Sequence, residues 1–373
     1  MAVIMFAVCL IEDKRFYLDK YLKVYFIFVA FWFVSSLATG YMMAFLHDLV
    51  GYVFVAYVGY WATIILKRKY DSLHILVYTL VFLGVFDALV TVSQSLYIPV
   101  FDSFLERLHL GVVDEDFLAK QARGVDMIGI SIPGLYGSPV TNGHYLLVSF
   151  IASFALQRYR FKPLGYVFSV IIFIGIFFCQ QRGPFYIGIL MLFFLLYKSY
   201  FIERPPVVKT LFLLFVAIIG IFIIPSYIEN LFLLESRMTL DAGEDSRTVI
   251  YSNTFDWIMD NPLGGFYVLH QIKDPHNFFL NAFVFGGWLG GLFVIYVLFI
   301  QLKLVLKACT GRVCEQNYLT FILAVAYLGV TGNSMVHNIS IVTGNIGTWM
   351  VWAAFLANYQ SRDQEMKGWR LLL

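Results

Sequence analysis

The sequence predicts an all-α, polytopic integral membrane protein, and three observations predict it. The 373 residues are 60% hydrophobic and 18% aromatic but only 13% charged, with a mean hydropathy of +0.77. A soluble domain normally carries about a quarter charged residues and could not hide this much apolar surface. Apolar runs of roughly 17–25 residues recur along the chain, the length that crosses a bilayer as a helix, and they are continuous rather than alternating as barrel strands are. Short basic loops separate them.

The runs fall at 1–11, 22–45, 50–66, 73–95, 142–157, 163–179, 184–202, 207–226, 277–302, 317–332 and 344–358. That is eleven spans, or ten if the short first run does not cross. Residues 1–11 lack the basic flank and small-residue cleavage site of a removable signal. Charge placement supports the series. Alternate loops carry Lys14, Arg15, Lys20 and Lys23; Lys67, Arg68 and Lys69; Arg158, Arg160 and Lys162; Lys198, Arg204 and Lys209; Lys303, Lys307 and Arg312; and Arg362, Lys367 and Arg370. The remaining loops hold only Arg107, Lys120, Arg123, Arg182, Arg237, Arg247 and Lys273. Lysine and arginine concentrate on the cytoplasmic side of membrane proteins, so the first set is assigned inside. Cys9, Cys179, Cys309 and Cys314 show neither metal-ligand spacing nor a disulfide framework.

The whole of 1–373 reads as one membrane domain with two long outer loops, at 96–141 and 227–276. In the first, Phe101, Phe104, Leu105 and Leu108 lie at helical spacing around Asp102 and Ser103, which suits a short amphipathic helix lying on the membrane. Gly134-Leu135-Tyr136-Gly137-Ser138-Pro139 then forms a turn before the next span. In the second, Asp245 or Ser246 caps a helix running to about Met259, with Ile250, Trp257 and Ile258 near one face. Asn261-Pro262-Leu263-Gly264-Gly265 ends it. A transporter works through broken helices and charges at mid-membrane. Here the polar residues gather at one surface, which favours binding or chemistry there.

Arg182 lies in Gln180-Gln181-Arg182-Gly183-Pro184, with Pro184 suited to a first helical turn. A guanidinium beside a helix N-terminus binds phosphate well; the alternative is an arginine reaching out to lipid headgroups. Arg237 and Arg247 flank Asp241, Glu244 and Asp245, so they serve either an anionic ligand or surface ion pairs. His276, in Asp274-Pro275-His276-Asn277, enters a helix near the interface. Its imidazole can accept a proton from a sugar hydroxyl at neutral pH, oriented by Asp274, or can merely cap the helix. His337-Asn338 repeats the pair in another outer turn and reads as structural. Asp87 is a lone carboxylate within the span 73–95, where charges are costly and usually functional, and nothing in the sequence names its partner. No nucleotide loop, kinase or ATPase signature or metal cluster is present, and no nucleic-acid partner is expected. The energy for any transfer must therefore come from an activated substrate, without a cofactor.

These residues, taken together, resemble the O-antigen ligase and polymerase superfamily (the WaaL and Wzy proteins). The resemblance rests on Arg247 through Trp257, Asp260-Asn261-Pro262-Leu263-Gly264-Gly265, His276-Asn277 and Gly286-Gly287-Trp288-Leu289-Gly290-Gly291. Nine residues separate Asn277 from Gly287, as in the family pattern. Upstream, Gly134 to Pro139 is similar to the family's turn before the middle spans. Gln181-Arg182-Gly183 resembles its Ser-Arg-Gly turn, departing from it at Gln181. The resemblance covers about residues 120–300.

It implies a GT-C-like membrane fold, with an active site in the second outer loop facing the periplasm of a bacterial inner membrane. The implied donor is an undecaprenyl-pyrophosphate-linked glycan. Arg182, Arg237 and Arg247 would hold the pyrophosphate, with Arg123 a further donor-pocket residue, Asp274 and Asn277 substrate-binding, and His276 the base. No metal is implied. The acceptor is a second lipid-linked repeat in a polymerase and lipid A core in a ligase. High Phe, Tyr and Ile content and compact loops favour polymerase. A chain-length regulator and membrane lipids are the further expected partners. A lipid-linked glycan flippase is the alternative of another class, with Asp87 alone in its support.

Overall fold

The computed structural model describes residues 2–12, 20–96, 132–136, 138–156, 162–198, 207–208, 210, 214, 247–264, 277–311, 313–314, 317–335 and 346–370. Every regular element among them is helical. In chain order these are α1 (Ala2–Glu12), α2 (Lys20–Ala38) and α3 (Met42–Asp48), which passes through a π-helical stretch (Leu49–Phe54) into α4 (Val55–Tyr70). Then come α5 (Leu73–Ser95), a 3₁₀ turn (Gly134–Tyr136), α6 (Pro139–Leu156), α7 (Lys162–Phe178), α8 (Arg182–Leu196), α9 (Arg247–Asp260), α10 (Phe278–Thr310), α11 (Tyr318–Ser334) and α12 (Ile346–Arg370). Among the described residues three stretches, Met42–Tyr70, Leu73–Ser95 and Phe278–Thr310, are long and apolar enough to cross a membrane. Shorter apolar helices lie at Leu22–Ala38, Pro163–Phe178, Arg182–Leu196 and Tyr318–Ser334. The chain is an all-α polytopic membrane protein.

Several span boundaries differ from the sequence reading. The run 22–45 is not one helix, because α2 ends at Ala38. Gly40 takes φ +79°, the Tyr41 N–H donates to Ser36 O at 2.9 Å and the Gly40 N–H to Leu37 O at 3.3 Å. This left-handed glycine closure satisfies the last carbonyls, and residues 42–45 then start the next helix. Helices α10 and α12 run past the expected ends at 302 and 358, since hydropathy marks the apolar part of a helix and not its last hydrogen bond. The expected span 207–226 and the amphipathic segment at 101–108 lie outside or almost wholly outside the described residues.

The chain divides into two compact units. One comprises Met1–Leu76, Glu244–Arg312 and Leu319–Leu373; the other comprises Val77–Gly243 and Val313–Tyr318. In the first unit α2 packs along α10. Phe31 stacks on Phe293 with ring centroids 5.5 Å apart, and Trp32 meets Phe285 at 5.0 Å. Helix α12 packs on α4, and Trp349 meets both Tyr25 and Tyr60. The buried Tyr327 hydroxyl donates to Gln301 Oε1 at 2.8 Å, tying α11 to α10.

The second unit is built on close helix approach between small residues, as membrane bundles commonly are. A Cβ on Gly175 of α7 would lie 2.6 Å from Ala88 Cβ, and one on Gly84 would strike Ser149. The Ser153 and Ser169 hydroxyls hydrogen-bond at 2.6 Å between α6 and α7.

Contacts group the helix ends as the charge alternation expects. Lys69 and Tyr70 both bond Glu12, and the Arg68 guanidinium donates to Gln360 at 3.1 Å, joining ends assigned to the basic side. Ser35 donates to Leu263 O, and the Asn277 amide to Met335 O at 3.1 Å, joining ends assigned to the other side.

Gly175→Leu should cost about 1–3 kcal/mol by overfilling the α5–α7 contact. A lowered thermal midpoint of the detergent-purified protein is expected, and an unchanged midpoint would contradict the close approach.

Candidate functional site

Helix α10 carries the first part of the site. Asn277 caps it, its backbone extended (φ −141°, ψ 119°) and its Oδ1 accepting from the N–H groups of Phe279 at 2.9 Å and Leu280 at 3.3 Å. Two of the four N–H groups that a helix leaves open at its start are thereby satisfied. The same side chain donates to Met335 O, so it ties the start of α10 to the end of α11. The sequence reading gave Asn277 to substrate. The structure shows its amide engaged in the fold on both sides.

Ten residues further on, α10 breaks. Gly287 takes φ +64° and ψ −169°, outside helical geometry. The run 277–302 was expected to be a continuous helix, and the correction has a definite cause. The Trp288 N–H, which in a regular helix would bond Val284 O, donates instead to Pro262 O at 2.9 Å. The Pro262–Gly264 turn therefore docks directly into the break. Gly264 is itself at φ +58°, and a Cβ there would lie 2.6 Å from Val284 O and 2.8 Å from Gly287 Cα. A Cβ on Gly287 would reach 2.5 Å from Leu263 O and 2.6 Å from Pro262 O. Both positions need a left-handed backbone and no side chain, so glycine is the residue that fits. Ser35 of α2 donates to Leu263 O and closes the turn from a third element.

The other glycines of this run have separate tasks. A Cβ on Gly286 would come within 2.7 Å of the Phe28 ring, and one on Gly290 within 3.2 Å, so these two, four apart, seat α10 on α2. One on Gly291 would strike the Phe283 ring. The motif Gly286-Gly287-Trp288-Leu289-Gly290-Gly291 is thus two helix-packing positions and one break, with Gly291 making room for Phe283.

Arg247 is the first residue of α9, which follows the expected course to Asp260. Ile258 is buried against Val284, with Trp257, Leu280 and Phe283 packed around them. The arginine-headed helix and the asparagine-capped helix are therefore fixed to each other by one apolar cluster and by the backbone clasp at Pro262–Gly264. His276 directly precedes the Asn277 cap, and it lies outside the described residues. So do Asp274, Arg237, Arg123 and His337.

Arg182 belongs to the other unit. It begins α8, following an extended Gln181 (φ −98°, ψ 112°) and a left-handed Gln180 (φ +57°). Arg182 is half-buried, and Pro184 lies buried in the first turn as the sequence predicts. Arg182 thus stands at a helix N-terminus, an end that favours an anion.

The structure also names a partner for Asp87: its Oδ1 accepts the Leu135 N–H at 3.0 Å. Neither Ser35 nor the polar partners of Asp87 could be found from sequence, because each meets a residue far along the chain.

The fold and these elements define a membrane protein with an arginine-headed helix clasped to a glycine-broken one. Residues 167–295 match the family model described as O-antigen ligase, a stretch that contains Arg182, Arg247, the Pro262–Gly264 turn and the glycine run. The match supports, over this segment, the resemblance to the O-antigen polymerase and ligase superfamily. No curated protein and no solved structure matches the chain.

Gly287→Ala combines a left-handed alanine with a backbone clash and should cost at least about 2 kcal/mol. Asn277→Ala should cost about 1 kcal/mol for the lost cap. Detergent melting of the two variants checks the order. Equal, negligible losses would contradict both the clasp and the cap.

Proposed function

We propose that this protein is a metal-independent glycosyltransferase that polymerises undecaprenyl-pyrophosphate-linked repeat units of O-antigen or a similar surface polysaccharide. It works at the periplasmic face of the bacterial inner membrane. The observation that carries the reading is the superfamily domain at 167–295, with an arginine at the head of α8 and another at the head of α9.

The chemistry follows from the residue types. The acceptor hydroxyl oxygen attacks the anomeric carbon of the donor sugar. The bond from that carbon to the pyrophosphate oxygen breaks, and the polyprenyl pyrophosphate leaves with the electron pair. Arg182, Arg237 and Arg247, supported by Arg123, bind the negative charge that gathers on the leaving group, and this stabilisation does most to lower the barrier to such a displacement. His276, oriented by Asp274, takes the hydroxyl proton.

The matching family model is described as a ligase, which favours a second reading: transfer of the lipid-linked glycan to lipid A core. The two readings share this site and differ in acceptor.

Deleting the gene and complementing it with wild type, His276→Ala or Arg182→Ala separates them on a lipopolysaccharide gel. A ladder reduced to a single core-linked repeat shows polymerase. Loss of every repeat from core, with lipid-linked polymer accumulating, shows ligase. Each variant should fail to restore the ladder, since one lost charge-stabilising group costs about 10²–10³ in rate. Full rescue by both would reject these residues. Transfer by isolated membranes should also persist in excess EDTA, and its abolition, restored by a divalent cation, would overturn the metal-independent mechanism.

A further inference from the structure

A buried polar seam runs along α5 in the second unit. Gly84, Asp87, Thr91 and Gln94 recur at helical spacing. The three polar side chains are fully buried, although the helix is otherwise apolar enough to cross a membrane. Polar groups in such a place are costly unless they are bonded. Here their bonds lead to one short stretch of backbone, directly from Gln94 and Asp87 and through Asn142 from Thr91. Gln94 brackets Gly134, its Oε1 accepting the Gly134 N–H at 3.0 Å and its Nε2 donating to Gly134 O at 3.5 Å. Asp87 Oδ1 accepts the next N–H, that of Leu135, at 3.0 Å. Thr91 Oγ1 accepts from Asn142 Nδ2 at 3.0 Å, and that amide also donates to Ile132 O at 3.0 Å.

The stretch 132–136 in turn holds the Arg182 turn. The Ile132 N–H donates to Cys179 O at 3.1 Å, and the Cys179 thiol donates towards Ile132 O at 3.5 Å and Pro139 O at 3.4 Å. Gly143, beside Asn142 on α6, leaves room for the other side of that turn: a Cβ there would lie 2.7 Å from Pro184 Cγ and 3.3 Å from Gln181 Cβ. Arg182 sits between these two residues. Gly134 is at φ +58° and packs on Asn142 with no space for a side chain. Tyr136 stacks on Tyr145 with centroids 4.4 Å apart, which fixes the far end of the stretch.

We propose that Asp87 is a positioning residue for Arg182, acting through the Gly134–Leu135 turn. Asp87 Oδ2 is buried without a hydrogen-bond partner. What the side chain supplies is therefore one acceptor oxygen, aimed at one peptide N–H. Removing it frees the Leu135 peptide. The turn then loosens against Cys179, and Arg182 loses its fixed aim at the donor pyrophosphate. The proposal rests on the reading of Arg182 as a pyrophosphate ligand.

The test uses the full-length protein in membranes, with lipid-linked glycan purified from the deletion strain as donor. Asp87→Ala should raise the donor KM roughly tenfold or more, because small misplacements of a binding group are costly. Asp87→Asn keeps an acceptor oxygen of the same reach and should recover most of that loss. Ser169→Ala, which removes a buried hydroxyl pair elsewhere in the same unit, should leave KM unchanged. In an Arg182→Ala background, Asp87→Ala should add no further rise in KM, since residues acting through one group are non-additive. A full and additive loss in that background would overturn the proposal, as would failure of Asp87→Asn to recover while Asp87→Ala still folds. Wild-type KM in Asp87→Ala would also overturn it, provided Arg182→Ala alone is defective. If Arg182→Ala itself is silent, the reading of Arg182 fails instead, and this proposal with it.

Discussion

Inside a bilayer every backbone N–H and C=O needs a partner within the protein, because no water is there to substitute. Helix α10 meets that constraint unusually. At Gly287 its own ladder is interrupted, and the Trp288 N–H is satisfied by Pro262 O from a turn outside the helix. The first unit depends on this exchange. It fixes where α9 ends, requires glycine at 264 and 287, and draws Ser35 of α2 into the same joint. A turn held by one hydrogen bond could wander. One held by a backbone bond, a side-chain bond and two interlocking glycines cannot move without opening the helix it docks into.

The second unit answers the same constraint by different means. Its short stretch at 132–136 closes one bond of its own, from the Tyr136 N–H to Pro133 O, and needs partners elsewhere for other peptides. Side chains reach it from α5 and α6 instead, at full burial. The cost of placing Asp87, Thr91 and Gln94 among apolar neighbours is offset only because each finds a bonding partner. Burial also lifts the Tyr136 phenol above its ordinary range. In the first unit the hydrogen-bonded turn ends the helix that Arg247 begins, and in the second the stretch 132–136 bonds to Cys179, three residues before Arg182. The proposed transfer depends on such preorganisation, since cations stabilise a leaving group only if they are already in place.

Much of this was legible in the sequence. Apolar run length and scarce charge gave the all-α membrane class, because bilayer thickness sets helix length whatever the neighbours are. Lysine and arginine alternation paired the helix ends that the structure brings into contact, Glu12 with Lys69 and Asn277 with Met335 among them. The course of α9, the Pro184 turn at Arg182 and the presence of the glycine run were also evident. These are local properties, fixed by propensity, capping and solvent over a few residues.

Tertiary structure alone decided what those motifs are for. The sequence contained Pro262-Leu263-Gly264 and Gly286-Gly287 but could not show that one inserts into the other, because their contact is made by backbone atoms and leaves no complementary side-chain pattern. It contained Asp87 without its partner, because that partner is a peptide N–H, which every residue but proline carries. It placed a helix across 22–45 where Gly40 ends one, because a glycine in an apolar run reads as readily as a packing position as a stop. Length and hydropathy act along the chain and are legible there; backbone-to-backbone fit acts between distant segments and exists only once they have folded together.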